Sequence, residues 1–151
     1  MAIKQTRDVL EYVRKFHKKL SQLYHNLGEH TDKERLKMLL DYLSRHEEHI
    51  GACVGEYEAS ASKRILDCWL QCAPDMEMAD IAKEMEEVSR MSVDDVIGLA
   101  VKWDNFLIDL YNQAAESAES KHAKDIFKKL LEMEDQEKHQ LVRQAIRLND
   151  I

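Results

Sequence analysis

Very little in this chain is able to interrupt a helix. A single proline and four glycines are spread over 151 residues, and β-branched runs are few, so the punctuation that a sheet protein needs is missing. Leu, Glu, Lys, Ala and Met dominate instead, a composition that favours long helices in one domain. No apolar run approaches the roughly 20 residues of a membrane span. The N-terminal stretch MAIKQTRDVLEYVRKF also has no continuous apolar segment of signal-peptide type. Runs of Lys and Arg uninterrupted by acids are absent too, and the formal net charge is −7, which excludes nucleic acid and anionic membrane as expected partners. Three cysteines, an odd number, without an export signal fit a reducing compartment. The expected location is the cytoplasm.

What is present is helical periodicity. At about 100° per residue, one stripe of a first helix from about Lys4 to Leu27 carries Leu10, Val13, Phe16, Leu20, Leu23 and Leu27, with His17 and Tyr24 at its edge and Gly28 placed to end it. Thr31 and Glu34 have capping-box spacing, and the helix they open carries Leu36, Leu40, Leu43, Glu47, Ile50, Val54 and Tyr57. Ser92 and Asp95 form a second such pair ahead of Val93, Val96, Ala100, Trp103, Leu107, Leu110 and Ala114, with Asp104 and Tyr111 at the edge. The fourth helix, about Lys121 to Leu148, aligns Phe127, Leu130, Glu134, Glu137, Leu141 and Leu148.

Between the hairpins, about 4–57 and 92–148, lies a crossover of about 58–91. Its segment RILDCWLQC reads as amphipathic helix, continuing the second helix towards Cys72 or resuming after a pause at Ser60 to Ser62; MEMADIAKEMEEVSR reads as another short helix.

Carboxylates on apolar stripes demand partners, because an ionised carboxylate buried alone costs several kcal/mol or more. A gapless shift of 87 residues superimposes His17 on Asp104, Tyr24 on Tyr111, Glu47 on Glu134 and Ile50 on Glu137. The two hairpins are therefore related, and a four-helix bundle made from them would bring His17, Glu47, Asp104, Glu134 and Glu137 to one level. Two divalent cations would offset the four carboxylates, with Glu47 and Glu134 placed to bridge and His17, Asp104 and Glu137 as end ligands. The alternative is a hydrated or vestigial polar layer in a metal-free bundle that acts as an interaction or structural module.

This pattern resembles the ferritin-like superfamily, in particular its rubrerythrin-like branch. The resemblance rests on a ligand residue seven positions before a Tyr in helices one and three and on a mid-helix Glu in helices two and four, and FKKLLEMED is the most family-like stretch. It implies an all-α ferritin-like bundle holding two iron or manganese ions, with ferroxidase, peroxidase or oxygenase activity. The family's Glu-x-x-His motif reads Glu47-x-x-Ile50 and Glu134-x-x-Glu137 here, while His17 and Asp104 stand where Glu is usual. A second register, His46-x-x-His49 with Gln136-x-x-His139, joined by His17 and Asp104, would make a histidine-rich site better suited to zinc or copper.

No pair of Cys-x-x-Cys motifs accompanies the bundle, so an oxidoreductase of this kind would need an external electron donor. A homodimer is one assembly open to such a bundle. Cys68 and Cys72, at i and i+4, would share a helical face, where small buried apolar residues are the simpler reading and a reactive pair the other. Trp69 marks the candidate surface for a protein partner.

Overall fold

Long amphipathic stretches with few breakers become long helices. The computed structural model describes residues 2–72, 80, 83 and 92–149, without the side chains of residues 2, 3, 148 and 149. In order, its elements are β1 (Ala2–Gln5), α1 (Thr6–His30), α2 (Glu34–Ser60), a helical turn α3 (Lys63–Leu66), β2 (Trp69–Cys72), α4 (Val93–Ser117) and α5 (Lys121–Asn149). The short helix expected in MEMADIAKEMEEVSR lies outside the described residues, apart from Asp80 and Lys83.

Helices α1 and α2 pack as one hairpin and α4 and α5 as the other, with α2 meeting both α4 and α5. Each contributes its stripe to a single core: Leu10, Val13, Phe16 and Leu20 from α1, Leu40, Leu43, Ile50 and Val54 from α2, Trp103, Leu107 and Tyr111 from α4, and Phe127 and Leu130 from α5. The fold is the expected all-α bundle of two hairpins. Aromatic rings tie the hairpins together, Phe16 on Phe106 at 5.4 Å and Tyr24 on Trp103 at 6.0 Å between ring centres.

The helix ends obey local chemistry only in part. At α4 the capping box forms as its spacing requires: Asp95 N–H donates to Ser92 Oγ at 3.2 Å and Ser92 N–H to the Asp95 carboxylate at 3.0 Å. Ser92→Ala is expected to lower stability by about 1 kcal/mol, read as a fall in the urea midpoint with an unchanged slope.

Thr31 and Glu34 do not form a box. The helix starts at Glu34 after Lys33, and Thr31 Oγ1 instead accepts from Lys33 N–H at 3.3 Å. Nor does Gly28 end α1. No described residue adopts a positive φ, and the helix runs on to His30, whose Nδ1–H reaches the Asn26 carbonyl at 2.7 Å. Glycine permits a left-handed cap but does not impose one.

The larger correction concerns RILDCWLQC. It is not an amphipathic helix: α2 stops at Ser60, a single helical turn follows, and Trp69–Cys72 pairs antiparallel with Ala2–Gln5, Cys72 opposite Ala2 and Trp69 opposite Gln5. The alternation that a strand requires is there, with Leu70 and Cys72 buried and Trp69 and Gln71 exposed. Lys4 accordingly belongs to β1, and α1 starts at Thr6, behind a bond from Gln5 N–H to the Asp8 carboxylate at 3.2 Å.

Tertiary contacts hold this ribbon. Thr6 donates through N–H and Oγ1 to the Cys68 carbonyl at 2.9 and 3.1 Å, and Arg7 pairs with Asp67. Ser117 Oγ accepts from Gln71 N–H at 2.8 Å, so the ribbon clasps the start of α1 to the end of α4. With Cys72 on a strand, Cys68 and Cys72 share no helical face.

Candidate metal centre

Four of the five predicted polar residues, one from each long helix, are buried inside the core. His17 on α1 is fully buried, as is Glu134 on α5, while Glu47 on α2 and Asp104 on α4 are 5% and 7% exposed. The His17 ring stands between the two hairpins. Its Nδ1 hydrogen-bonds to Glu47 Oε2, and its Nε2 makes an ion-pair contact with Glu134 Oε1 at 2.9 Å. A ring held between two carboxylates is stabilised as the imidazolium, with a proton on each nitrogen. Tyr111 closes the group: its hydroxyl lies 3.4 Å from His17 Nε2 and donates to Glu134 Oε1 at 3.4 Å.

Glu137, one turn beyond Glu134, pairs with His46 Nδ1, and both are partly buried. The Tyr42 ring lies 4.0 Å from that of His46, centre to centre. Four buried polar atoms have no hydrogen-bond partner among the described residues: Glu134 Oε2, Tyr42 Oη, Trp103 Nε1, and Glu137 Oε2, which meets His46 only as an ion pair. An orphaned carboxylate oxygen in a dry core is costly and marks a place where a donor or a cation would be stabilising.

The electrostatics follow from an excess of acids over bases. Burial alone would push the His17 imidazolium down, but Glu134 and Glu47 outweigh it and raise its pKa to about 10. Burial, then Glu134 and Glu47, push Asp104 up to about 9. Glu134 is also raised, because burial outweighs the opposing pull of His17. Both partners of the His17–Glu134 contact thus move upward, as they must where one imidazolium faces several carboxylates. Burial, then Glu137 and Asp104, push the Tyr42 phenol up to about 12. Burial first, then the carboxylates around them, raise Tyr24 and Tyr111 as well.

Four of the five residues expected from the sequence fall into two contacts: His17 with Glu47 and Glu134, and Glu137 with His46. Asp104 belongs to the same electrostatic group, sensing both Glu134 and Glu137. The histidine-rich second register does not assemble, since His49 and His139 are exposed and His139 folds back on Asp135. Only its His46 joins the cluster. Ile50, where the family carries histidine, is buried in the apolar core.

Tyr42 was absent from the sequence reading and His46 stood only in the second register. The i, i+4 spacing from Tyr42 to His46 was the available signal, because it sets the two rings side by side. Among the described residues, no three His, Cys, Asp or Glu side chains form a ready-made ligand set.

Glu47 also floors a groove of about 480 Å³ between α1 and α2, with Arg14, Lys18, Ser21, Ser44 and Gly51 along its walls. No helix among the described residues is long and apolar enough to cross a membrane.

No family model matches the sequence, and no curated protein matches it. Among solved structures, the chain is similar to one from Thermotoga maritima whose own description as a ferritin-like diiron-carboxylate protein is a proposed one. The match has a TM-score of 0.71 and 16% identity, covering 96% of this chain and 97% of the other. At that identity the likeness shows the fold: the bundle is ferritin-like, and its placement within the rubrerythrin-like branch is not shown.

Proposed function

We propose that this ferritin-like bundle takes up two divalent metal ions, iron foremost, at the buried cluster and serves iron or oxidant handling. The donor set carries the reading. Four carboxylates, Glu47, Asp104, Glu134 and Glu137, and two imidazoles, His17 and His46, come from all four long helices. Four carboxylates balance the charge of two divalent ions, and oxygen-rich donors suit iron or manganese better than copper. The unpartnered Glu134 Oε2 supports the same conclusion, because a cation is a partner that the folded chain itself does not provide. The donor set therefore fits a metal group in chemistry, although His17 closes the geometry.

In that role Glu47, Asp104, Glu134 and Glu137 would hold the ions, with His46 beside Glu137. Bound ions of this class supply the one-electron chemistry of ferroxidases and peroxidases. The chain's own part is to exclude water with Phe16, Trp103 and Phe127, each fully buried, and to orient Glu134 through Tyr111. Reducing equivalents would come from an external donor, since the three cysteines are free and not arranged as paired Cys-x-x-Cys motifs.

Thermal unfolding tests the reading. Fe(II) under anaerobic conditions, or Mn(II), at about 100 times its dissociation constant stabilises the folded state by about 2.7 kcal/mol. That corresponds to a rise of about 5–10 °C in Tm for a chain of this size. Indifference to Fe(II), Mn(II) and Zn(II) alike would contradict it.

A second reading, a metal-free interaction module, draws support from Trp69, which is 52% exposed on the ribbon. It predicts a partner or self-association lost in Trp69→Ser and no response to metal.

A further inference from the structure

Two carboxylates that face each other across a dry core need positive charge between them. Glu47 and Glu134 reach inward from different hairpins, and what lies between them is the His17 ring, with one nitrogen on each. The ring is fully buried, and α2 lies tight against its stem, since a Cβ at Gly51 would be 3.4 Å from the Cβ of His17. A metal ligand needs a ring nitrogen with a free lone pair. The two His17 nitrogens instead face oxygens that the metal itself would use, Nδ1 in a hydrogen bond to Glu47 and Nε2 in an ion pair with Glu134.

We propose that His17 is a built-in stand-in for the cation: its ring and a divalent ion compete for the same oxygens of Glu47 and Glu134, so metal enters by displacing His17. This rests on the metal reading above and assigns His17 the role of competitor in place of the end ligand suggested by its position in the sequence. The groove floored by Glu47 gives an arriving ion a solvent-side approach to one of the contested carboxylates. The unpartnered Glu134 Oε2 offers an ion a contact that His17 leaves unused.

Displacement sets the affinity. An ion binding the wild-type chain must first break a charge-assisted hydrogen bond to Glu47 and an ion pair with Glu134, both strong in a dry site. Removing the competitor therefore strengthens binding, whereas removing a ligand weakens it. The two roles give opposite signs.

The test is calorimetric titration of Mn(II), which needs no exclusion of redox chemistry, into wild type and His17→Gln, each confirmed folded by circular dichroism. The expected result is binding tighter by about tenfold or more in His17→Gln. Unchanged, weaker or lost binding in the variant, with wild type intact, overturns the competitor role and leaves the metal reading standing. No binding by either chain removes the metal reading and this inference with it.

Wild type alone supplies a second readout, independent of whether the variant folds. With ¹⁵N-labelled histidine and ¹¹³Cd(II), the His17 ring signals are expected to change without ¹¹³Cd–¹⁵N coupling. Coupling on either His17 nitrogen, or unchanged His17 signals on loading, overturns the proposal.

Discussion

Replacing His17 with alanine is expected to destabilise the metal-free protein by about 3–5 kcal/mol, lowering Tm by about 6–20 °C. The reason is what the substitution leaves behind. Glu47 and Glu134 would still face each other in the core, now without the imidazolium that contacts both. Taking one member from a buried charge network strands the others, while replacing the whole network with apolar side chains of similar volume removes the desolvation penalty as well. A triple variant, His17→Leu with Glu47→Met and Glu134→Met, is therefore expected to fold at least as stably as wild type. Urea unfolding of the two variants in chelator checks both halves. A His17→Ala protein within about 1 kcal/mol of wild type would contradict the burial of this network.

Stability of the metal-free protein is expected to fall steeply as pH rises above neutrality. The folded pKa of His17, about 10, lies above its ordinary 6.5, so its contribution is complete below about pH 6.5 and is lost as pH rises towards 10. Asp104 is raised from 3.8 to about 9. The native chain then keeps a proton that the unfolded chain releases, and this contribution too declines, from about pH 4 to pH 9.

Between about pH 6.5 and 9 both slopes add, each about 1.4 kcal/mol per pH unit at full strength. Urea midpoints at half-unit steps from pH 5.5 to 9.5, in chelator, read this directly. A flat or rising profile across that window would contradict the charge balance described for the cluster.

The parts legible in the sequence were those with a local cause. Stripes at helical spacing placed Phe16, Leu43, Trp103 and Leu130 in the core, and Ser92 with Asp95 announced the start of α4. Carboxylates on those stripes marked Glu47, Asp104 and Glu134, because each interrupts a run that would otherwise be apolar.

What escaped depends on partners distant in sequence. The strand Trp69–Cys72 exists because Ala2–Gln5 lies beside it, and four residues of alternating apolarity cannot by themselves be told from part of an amphipathic helix. Gly28 and Thr31 had the right chemistry for a cap and a box, but the hairpin turn kept the first helical and started the next helix at Glu34. His46 was hidden differently. It stands at the margin of its stripe, and only the position of Glu137 on α5 draws it into the cluster.

On the proposed reading, the four carboxylates and two histidines that the family resemblance implies have counterparts here with the histidines moved, one to α1 and one to the position before Glu47. By spacing the chain departs from Glu-x-x-His in both hairpins. In space His17 contacts both Glu47 and Glu134, the carboxylates that the proposal gives to ions.

Elemental analysis of protein purified without added metal or chelator, then reloaded anaerobically with Fe(II), tests the metal reading most directly, with Glu47→Gln, Glu134→Gln as the control. The expected result is about two metal ions per wild-type chain, as four carboxylates can balance, and a near-empty, folded double variant. Wild type that remains empty after loading, or a double variant that retains as much metal as wild type, would contradict metal binding at this cluster.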